Sequence, residues 1–492
     1  MQQSHLLPYN LHSVFCSHMT LAYDSMEIYE QCFISPSSAS ATHFSLPLTF
    51  FDLIWLRFHP VERIFFYPLP LPHSNPSFFF HKVLPNLKTS LSSTLQHFPP
   101  LAGKIIWPSH SGKPFIQFNP GDGVLLVLAQ CNDDAKFNHS LDNSPRDASE
   151  SRSLVPHLES SDSHASVMSL QITFFPNKGF SIGINSHHAV LDGKSSTMFI
   201  KAWAYACKSC EDESLNPELE PLFDRDLIKD PTGLETAIIN TWAKMASQID
   251  PSDTSNGRSL RIMSLPTQEN LVRATFDLKR GDLEKIKKRV LSKWELVGEE
   301  TVSGFSKPTT LSTFVACCAY VSVCIAKATH EAQNGDKFCL AFTADCRARL
   351  EPPIPENYFG NCVASHIVDT EPHDFIKEDG VVVVAKRIWS KTKMLEKVLT
   401  EGIDTVIPRF AAMLRKGFKG IGVSGSNRFG VYETDFGWGK PAKVEITSID
   451  RGLTIGLAET KEEKGGVEVG LALNKHVMDL FQEIFYEGLC MD

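Results

Sequence analysis

The sequence predicts an α+β protein built as a sandwich-like pair of mixed-sheet domains, on three observations. Strand and helix patterns alternate irregularly, with no repeating βα unit. The chain has 492 residues, too long for one ordinary core and suited to two domains of about 200. A strand-then-helix pattern also restarts after a polar stretch at 251–268. The expected division is an N-terminal extension at 1–25, a first domain at 26–217, a crossover and polar connection at 218–268, and a second domain at 269–492. No internal repeat is evident.

Residues 1–25 show no periodicity and read as a dispensable or disordered extension, the physiological start being expected at Met26. From Met26, MEIYEQCFISP alternates and stops at proline, as a first strand does. Ser45–Pro70 mixes aromatic anchors with prolines, and Val83–Phe98 has helical spacing, so a loop, a strand and a helix follow. Pro99–Pro108 and Pro114–Gln130 read as short strands with Gly and Pro turns. The Ser, Asp and Asn content of 138–165 predicts surface loop.

Met168–Phe175 and the strand from Phe180 are joined by Pro176–Gly179, a tight hairpin signal. In the second strand Phe180, Ile182 and Ile184 alternate with Ser181, Gly183 and Asn185, which predicts one buried and one exposed face. A helix is expected after Ser195. Glu218–Gly233, charged and proline-punctuated, reads as an exposed crossover. The second half supplies a strand and helix from Arg273, a polar loop at 297–308, a helix at Leu311–Ala326, and a strand, turn and strand over Lys337–Val363. A long helix from Val381, further strands and a closing helix from Asn474 complete it.

Composition narrows the function. The net charge of −9 disfavours a protein that works on nucleic acid or an anionic membrane surface. Leu311–Ala326 falls short of the ~20 apolar residues of a bilayer span and carries Ser312, Thr313 and Ser322, so it reads as a buried helix. No basic residue precedes Arg57, unlike a signal or transit peptide. The twelve cysteines follow no framework spacing, and Cys207 and Cys210 form a lone CxxC without the partners of a zinc or redox site. A cytosolic monomer without a metal, acting on small molecules, is the expectation.

The segment Phe180–Ser196 carries the chemistry. Its strand pattern stops at His187 and His188, and Asp192-Gly193 follows at a turn, giving HxxxDG. Imidazole, with an ordinary pKa of ~6.5, is the side chain best suited to take a proton from a hydroxyl. His188 is therefore the candidate base, with Asp192 as its partner on this reading. Two other patterns overlap it and fail on context. Gly179, Ser181 and Gly183 match GxSxG, but Ser181 lies inside a strand, not on a strand-to-helix elbow. Gly193, Lys194 and Ser195 resemble the end of a phosphate loop, whose first glycine is replaced by His188. A second marked segment, Tyr432–Pro441, interleaves glycines with Phe436 and Trp438 behind Asp435 and reads as a tightly packed turn.

HxxxDG at 188–193 together with DFGWG at 435–439 resembles the plant BAHD acyltransferases, and Ser45–Tyr67, YFGNC at 358–362 and SGSNRF before DFGWG resemble their anthocyanin and phenolic glucoside malonyltransferase branch. The resemblance runs from Met26 to the C-terminus. It implies two similar chloramphenicol-acetyltransferase-like domains with the active-site channel between them, and acyl transfer from coenzyme A with no bound cofactor. It makes His188 the base and shifts Asp192 to an orienting role, with Gly193, Asp435, Gly437, Trp438 and Gly439 as structural residues of the site. Arg347 or Arg349 is the expected ion-pair partner of Asp435. A malonyl donor adds a carboxylate, for which Lys194 and Arg428 are candidates, and Ser424 and Ser426 are expected to line the acyl pocket. The expected reaction moves malonyl from malonyl-CoA to a sugar hydroxyl of a phenolic, flavonoid or anthocyanin glucoside. An acetyl or hydroxycinnamoyl donor is the alternative within the class, and a non-catalytic binding homologue the alternative outside it.

Overall fold

The computed structural model describes residues 26–490 apart from 38–41, 210–213, 250–257, 264–269, 297–305, 334–336, 369, 372, 396–399 and 401. The extension at 1–25, Cys210 and most of the polar stretches at 251–268 and 297–308 lie outside the described residues. One sheet runs in the order Met26–Ile34, Val124–Cys131, Met168–Phe175, Gly179–Ser186, Val61–Pro68, Lys443–Ile446. A second runs Val363–Val368, Lys337–Asp345, Phe418–Gly425, Thr454–Glu459, Val467–Asn474, Leu271–Leu278, Arg146–Asp147. A small four-stranded sheet packs beside the first. Two strands therefore cross the division read from chain order: Lys443–Ile446 joins the N-terminal sheet and Arg146–Asp147 the C-terminal one.

Each large sheet has its own core. Helices Leu84–His97 and Gly193–Ser209 cover the first, burying Leu87, Leu91, Phe199 and Trp203 with Phe65 and Tyr67 of the sheet. In the second, helix Thr313–Gln333 packs against Gly380–Met394 and Lys475–Cys490. Its stretch Thr313–His330 has a mean hydropathy of 1.3, and 78% of it is buried inside the fold. Helices Leu234–Ile249 and Val406–Arg415 were not anticipated. The first anchors on Trp242, whose indole N–H donates to the Leu53 carbonyl at 2.8 Å.

Two expectations fail together, for one reason. The strand Gly179–Ser186 is buried on both faces, and the stretch 138–165, exposed at many positions, is not surface loop throughout: it carries the strand Arg146–Asp147, the helix Ala148–Arg152 and the buried Leu154, Pro156 and Leu158. Residues 153–157 run across the strand's polar face. Asn185 donates to the Pro156 carbonyl at 2.8 Å and Gln171 to that of Ser153 at 3.0 Å. A Cβ on Gly183 would stand 2.0 Å from the Leu154 carbonyl oxygen. The polar residues of the alternation thus satisfy a covering chain instead of water. The crossover at 218–233 is exposed at Glu218, Asp224, Asp226, Lys229 and 231–233 but is anchored to the second domain: Leu222 bridges to Tyr358, and Arg225 is buried with its guanidinium donating to the Phe359 carbonyl at 2.6 Å.

Candidate active site

The hairpin register, with Gly179 opposite Phe175 and Ser186 opposite Met168, delivers His187 and His188 to the strand end beside the second domain. His187 is fully buried, and its Nδ1 accepts the Ala189 N–H at 3.2 Å, which shapes the turn. Burial, with His188 adjacent, pushes its pKa down to about 3. His188 is half-buried, its ring stacked on Trp55 at 4.0 Å and 6°. Its carbonyl accepts Asn361 Nδ2 at 2.8 Å. Its Nδ1 is buried without a partner, and Nε2 is not among such atoms. Burial above all, reinforced by His59 and opposed by its own backbone and Asp192, pushes the His188 pKa down to about 4. The imidazole is therefore neutral at physiological pH, with an open nitrogen able to accept a proton.

Asp192 makes no hydrogen bond to His188, which corrects the first reading of it as the base's partner. It caps the helix Gly193–Ser209 instead: Oδ1 accepts the Ser195 N–H at 2.9 Å. Its other oxygen reaches the second domain, accepting the Cys362 N–H at 3.1 Å and pairing with Arg347 Nη2 at 2.9 Å. Arg347 is wholly buried. Burial works against its charge, but the Asp192 and Asp345 carboxylates outweigh it and raise its pKa. The same guanidinium donates to the carbonyls of Tyr358 and Gly360 at 3.1 and 3.2 Å. Gly193 leaves room for the Phe429 ring, which a Cβ there would approach to 2.7 Å.

Asp435 is not paired with Arg347 or Arg349. Its partner is Lys208, at 2.6 Å, while Arg349 donates to the Asp345 carbonyl. Lys208 closes the helix that Asp192 opens, seventeen residues long and so roughly 25 Å from end to end. DFGWG therefore docks far from the histidine. Asp435 Oδ1 accepts the N–H groups of Gly437 and Gly439 at 2.9 and 3.0 Å, and both glycines have positive φ, 102° and 106°. Phe436 packs edge-on against Tyr67 and Trp203, and half-buried Trp438 meets Phe180.

Among the donor-binding candidates, Lys194 is already held by acids, Glu356 in contact and Asp345 at 3.9 Å. Arg428 is exposed, and Ser424 and Ser426 are half-buried on and after the strand Phe418–Gly425. The sequence reading missed the residues that bolt the histidine loop in place. Asp52, fully buried, accepts Thr49 N–H and both the backbone and side-chain N–H of Asn361, at 2.9–3.0 Å. Arg225 stands 3.9 Å from it. The signal was present: a carboxylate inside the apolar run FFDLIW is buried only when its partners are built elsewhere.

The chain is similar to known proteins over almost its whole length. The model of the Transferase family matches residues 24–488. Phenolic glucoside malonyltransferase 1 of Arabidopsis thaliana is 39% identical over 472 residues, covering 94% of this chain and 98% of the relative. Malonyl-CoA:anthocyanidin 5-O-glucoside-6''-O-malonyltransferase of the same plant is 40% identical, with 94% and 98% covered. Agmatine coumaroyltransferase, also from A. thaliana, is 35% identical, with 93% and 97% covered. Among solved structures, vinorine synthase superposes with a TM-score of 0.63 at 20% identity, covering 92% of this chain and 96% of that one. TRI101 of F. sporotrichioides, complexed with coenzyme A and T-2, gives 0.61 at 15% identity over 89% and 97%.

Proposed function

This chain belongs to the BAHD acyltransferases of the Transferase family, enzymes that draw their acyl group from an acyl-CoA co-substrate, and we propose that it transfers malonyl to a sugar hydroxyl of a phenolic or anthocyanin glucoside with His188 as general base. The observation that carries the chemistry is a neutral imidazole with one open nitrogen, fixed where the two domains meet. His188 Nε2 takes the proton of the acceptor hydroxyl as its oxygen attacks the thioester carbonyl. The imidazolium then returns that proton to the departing CoA thiolate, so no acyl-enzyme forms. Asp192 holds the loop by capping the helix and pairing with Arg347. The malonyl donor rests on the two malonyltransferases at 39% and 40% identity. A hydroxycinnamoyl donor is the second reading, favoured by the coumaroyltransferase at 35%. We place the protein in the cytosol; all its described cysteines are free thiols, as a reducing compartment requires.

The test is a donor screen on a phenolic glucoside with mass detection of products. Malonylated product is expected, and activity with an aromatic donor alone would defeat the donor reading. His188→Ala is expected to lower kcat by about 100-fold or more, the scale of general-base catalysis, with CoA binding retained. Full activity in that variant would remove the base assignment.

A further inference from the structure

A base that takes a proton carries a positive charge for part of the reaction, and the fold bonds no carboxylate to this one. Asp192 is committed to the Ser195 and Cys362 N–H groups and to Arg347, and among the described residues no acid hydrogen-bonds to the His188 ring. Burial opposes a proton on that ring most strongly and His59 adds to it, while the backbone, Asp192 and Asn361 offset only part. The group set directly against the imidazole is Trp55. The two rings lie face to face, their centroids 4.0 Å apart and their planes within 6°. The face of an indole is electron-rich and is the best of the aromatic faces for a cation within about 6 Å. Its attraction acts on the charged ring far more than on the neutral one, so it is felt when the base holds the proton and little before.

The stack is firmly built. Trp55 is 6% exposed, and its backbone N–H donates to the Asp52 carbonyl at 3.0 Å. The Asp52 carboxylate accepts Asn361 Nδ2, which also donates to the His188 carbonyl. Asn361 thus ties the Trp55 turn to the backbone of the histidine loop, and the two rings meet on the side-chain side. Phe58 closes on the indole edge-on at 5.1 Å. A second observation sets the indole apart from a mere filler: its N–H is buried with no hydrogen-bond partner among the described residues. Phenylalanine or leucine in the same place would carry no such cost. Packing alone therefore favours another residue here, and what tryptophan adds is its face.

We propose that Trp55 is a positioning residue for the base: its ring fixes the plane of the His188 imidazole and stabilises the imidazolium while that ring holds the acceptor's proton. The assignment rests on the reading of His188 as general base. As the acceptor O–H bond breaks, an N–H bond forms at Nε2 and the ring becomes a cation over the indole; it is neutral again once the proton passes to the CoA thiolate. The experiment places tryptophans with one to four ring fluorines at position 55 alone, since the chain has seven tryptophans, and measures kcat and the KM for the acyl-CoA. Fluorine changes the shape of the ring little and drains charge from its face, so kcat is expected to fall with each fluorine, by roughly 10-fold across the series, with KM near that of the parent. A kcat that does not change along the series overturns the assignment. Trp55→Phe and Trp55→Leu give the same ranking by mutation, with Phe expected to keep more activity than Leu; the fluorinated series decides if either variant fails to fold. Repeating the series on His188→Ala is expected to abolish the fluorine dependence, and a dependence that persists there shows that Trp55 does not act through His188. Full activity in His188→Ala removes the base reading and this assignment together, whereas a flat series with His188→Ala impaired rejects Trp55 alone.

Discussion

The two aspartates of the paired motifs occupy opposite ends of one helix and opposite physical regimes. Asp192 is 2% exposed and shares its carboxylate among a helix N-terminus, a backbone N–H and a buried arginine from the other domain. Asp435 remains 22% exposed and pairs with a lysine that is 58% exposed, while its other bonds close its own turn. Motifs of equal prominence in the sequence thus do different work. One joins two domains behind His188; the other pins a loop to the first domain.

That contrast can be broken by mutation. Removing one partner of a buried pair strands the other charge, so Arg347→Met or Asp192→Ala is expected to destabilise the fold by about 3–5 kcal/mol, read as a lowered urea midpoint. The double variant Asp192→Asn with Arg347→Met is expected to recover part of that loss, and strict additivity would show that the two do not interact. Asp435→Ala removes two N–H acceptances in a tight turn and is expected to cost about 1–2 kcal/mol. Lys208→Ala, which deletes only the exposed half of an ion pair, is expected to cost at most about 1 kcal/mol. A Lys208 effect equal to that of Arg347 would erase the distinction.

Acid sharpens the same comparison, because the two ends respond in different windows. His187 and His188 have folded pKa values of about 3 and 4, below the ~6.5 of an unfolded histidine. The unfolded chain therefore takes up protons first, and stability falls as pH drops below ~6.5, levelling off only beneath the folded values. Burial acts to raise the Asp435 pKa, but Lys208 and the N–H groups of Gly437 and Gly439 outweigh it and depress the value. Its contribution is present above the ordinary carboxylate pKa and lost only as pH falls through the depressed one. Urea midpoints between pH 7 and 4.5 should thus decline less steeply in His188→Gln, with Asp435→Asn leaving the slope over that window nearly unchanged. The acid limb of kcat/KM is expected below pH 5, and a limb near 6.5 would show that His188 is not held in this environment.

Some of this was legible without coordinates. Phe180–Ile184, the Pro176–Gly179 turn and the apolar run from Leu311 are local patterns, and each became the expected element. The polar half of the Phe180 strand misled because periodicity records which residues are polar, not what satisfies them. Here the chain at 153–157 does so in place of water. The ion-pair partner of Asp435 was misassigned for a related reason. DCRAR offers two arginines, and nothing in the spacing says which is buried or where it points.

By itself, the sequence determined the mixed-sheet architecture, the strand that ends on His188 and the two motifs that mark the family, since all three are written in short-range pattern. Only the tertiary structure decided that Arg347 belongs to Asp192, Lys208 to Asp435, and Asn361 to both Asp52 and the His188 carbonyl. These contacts join segments distant in the chain, and a buried charge is defined by what surrounds it, which no local pattern encodes.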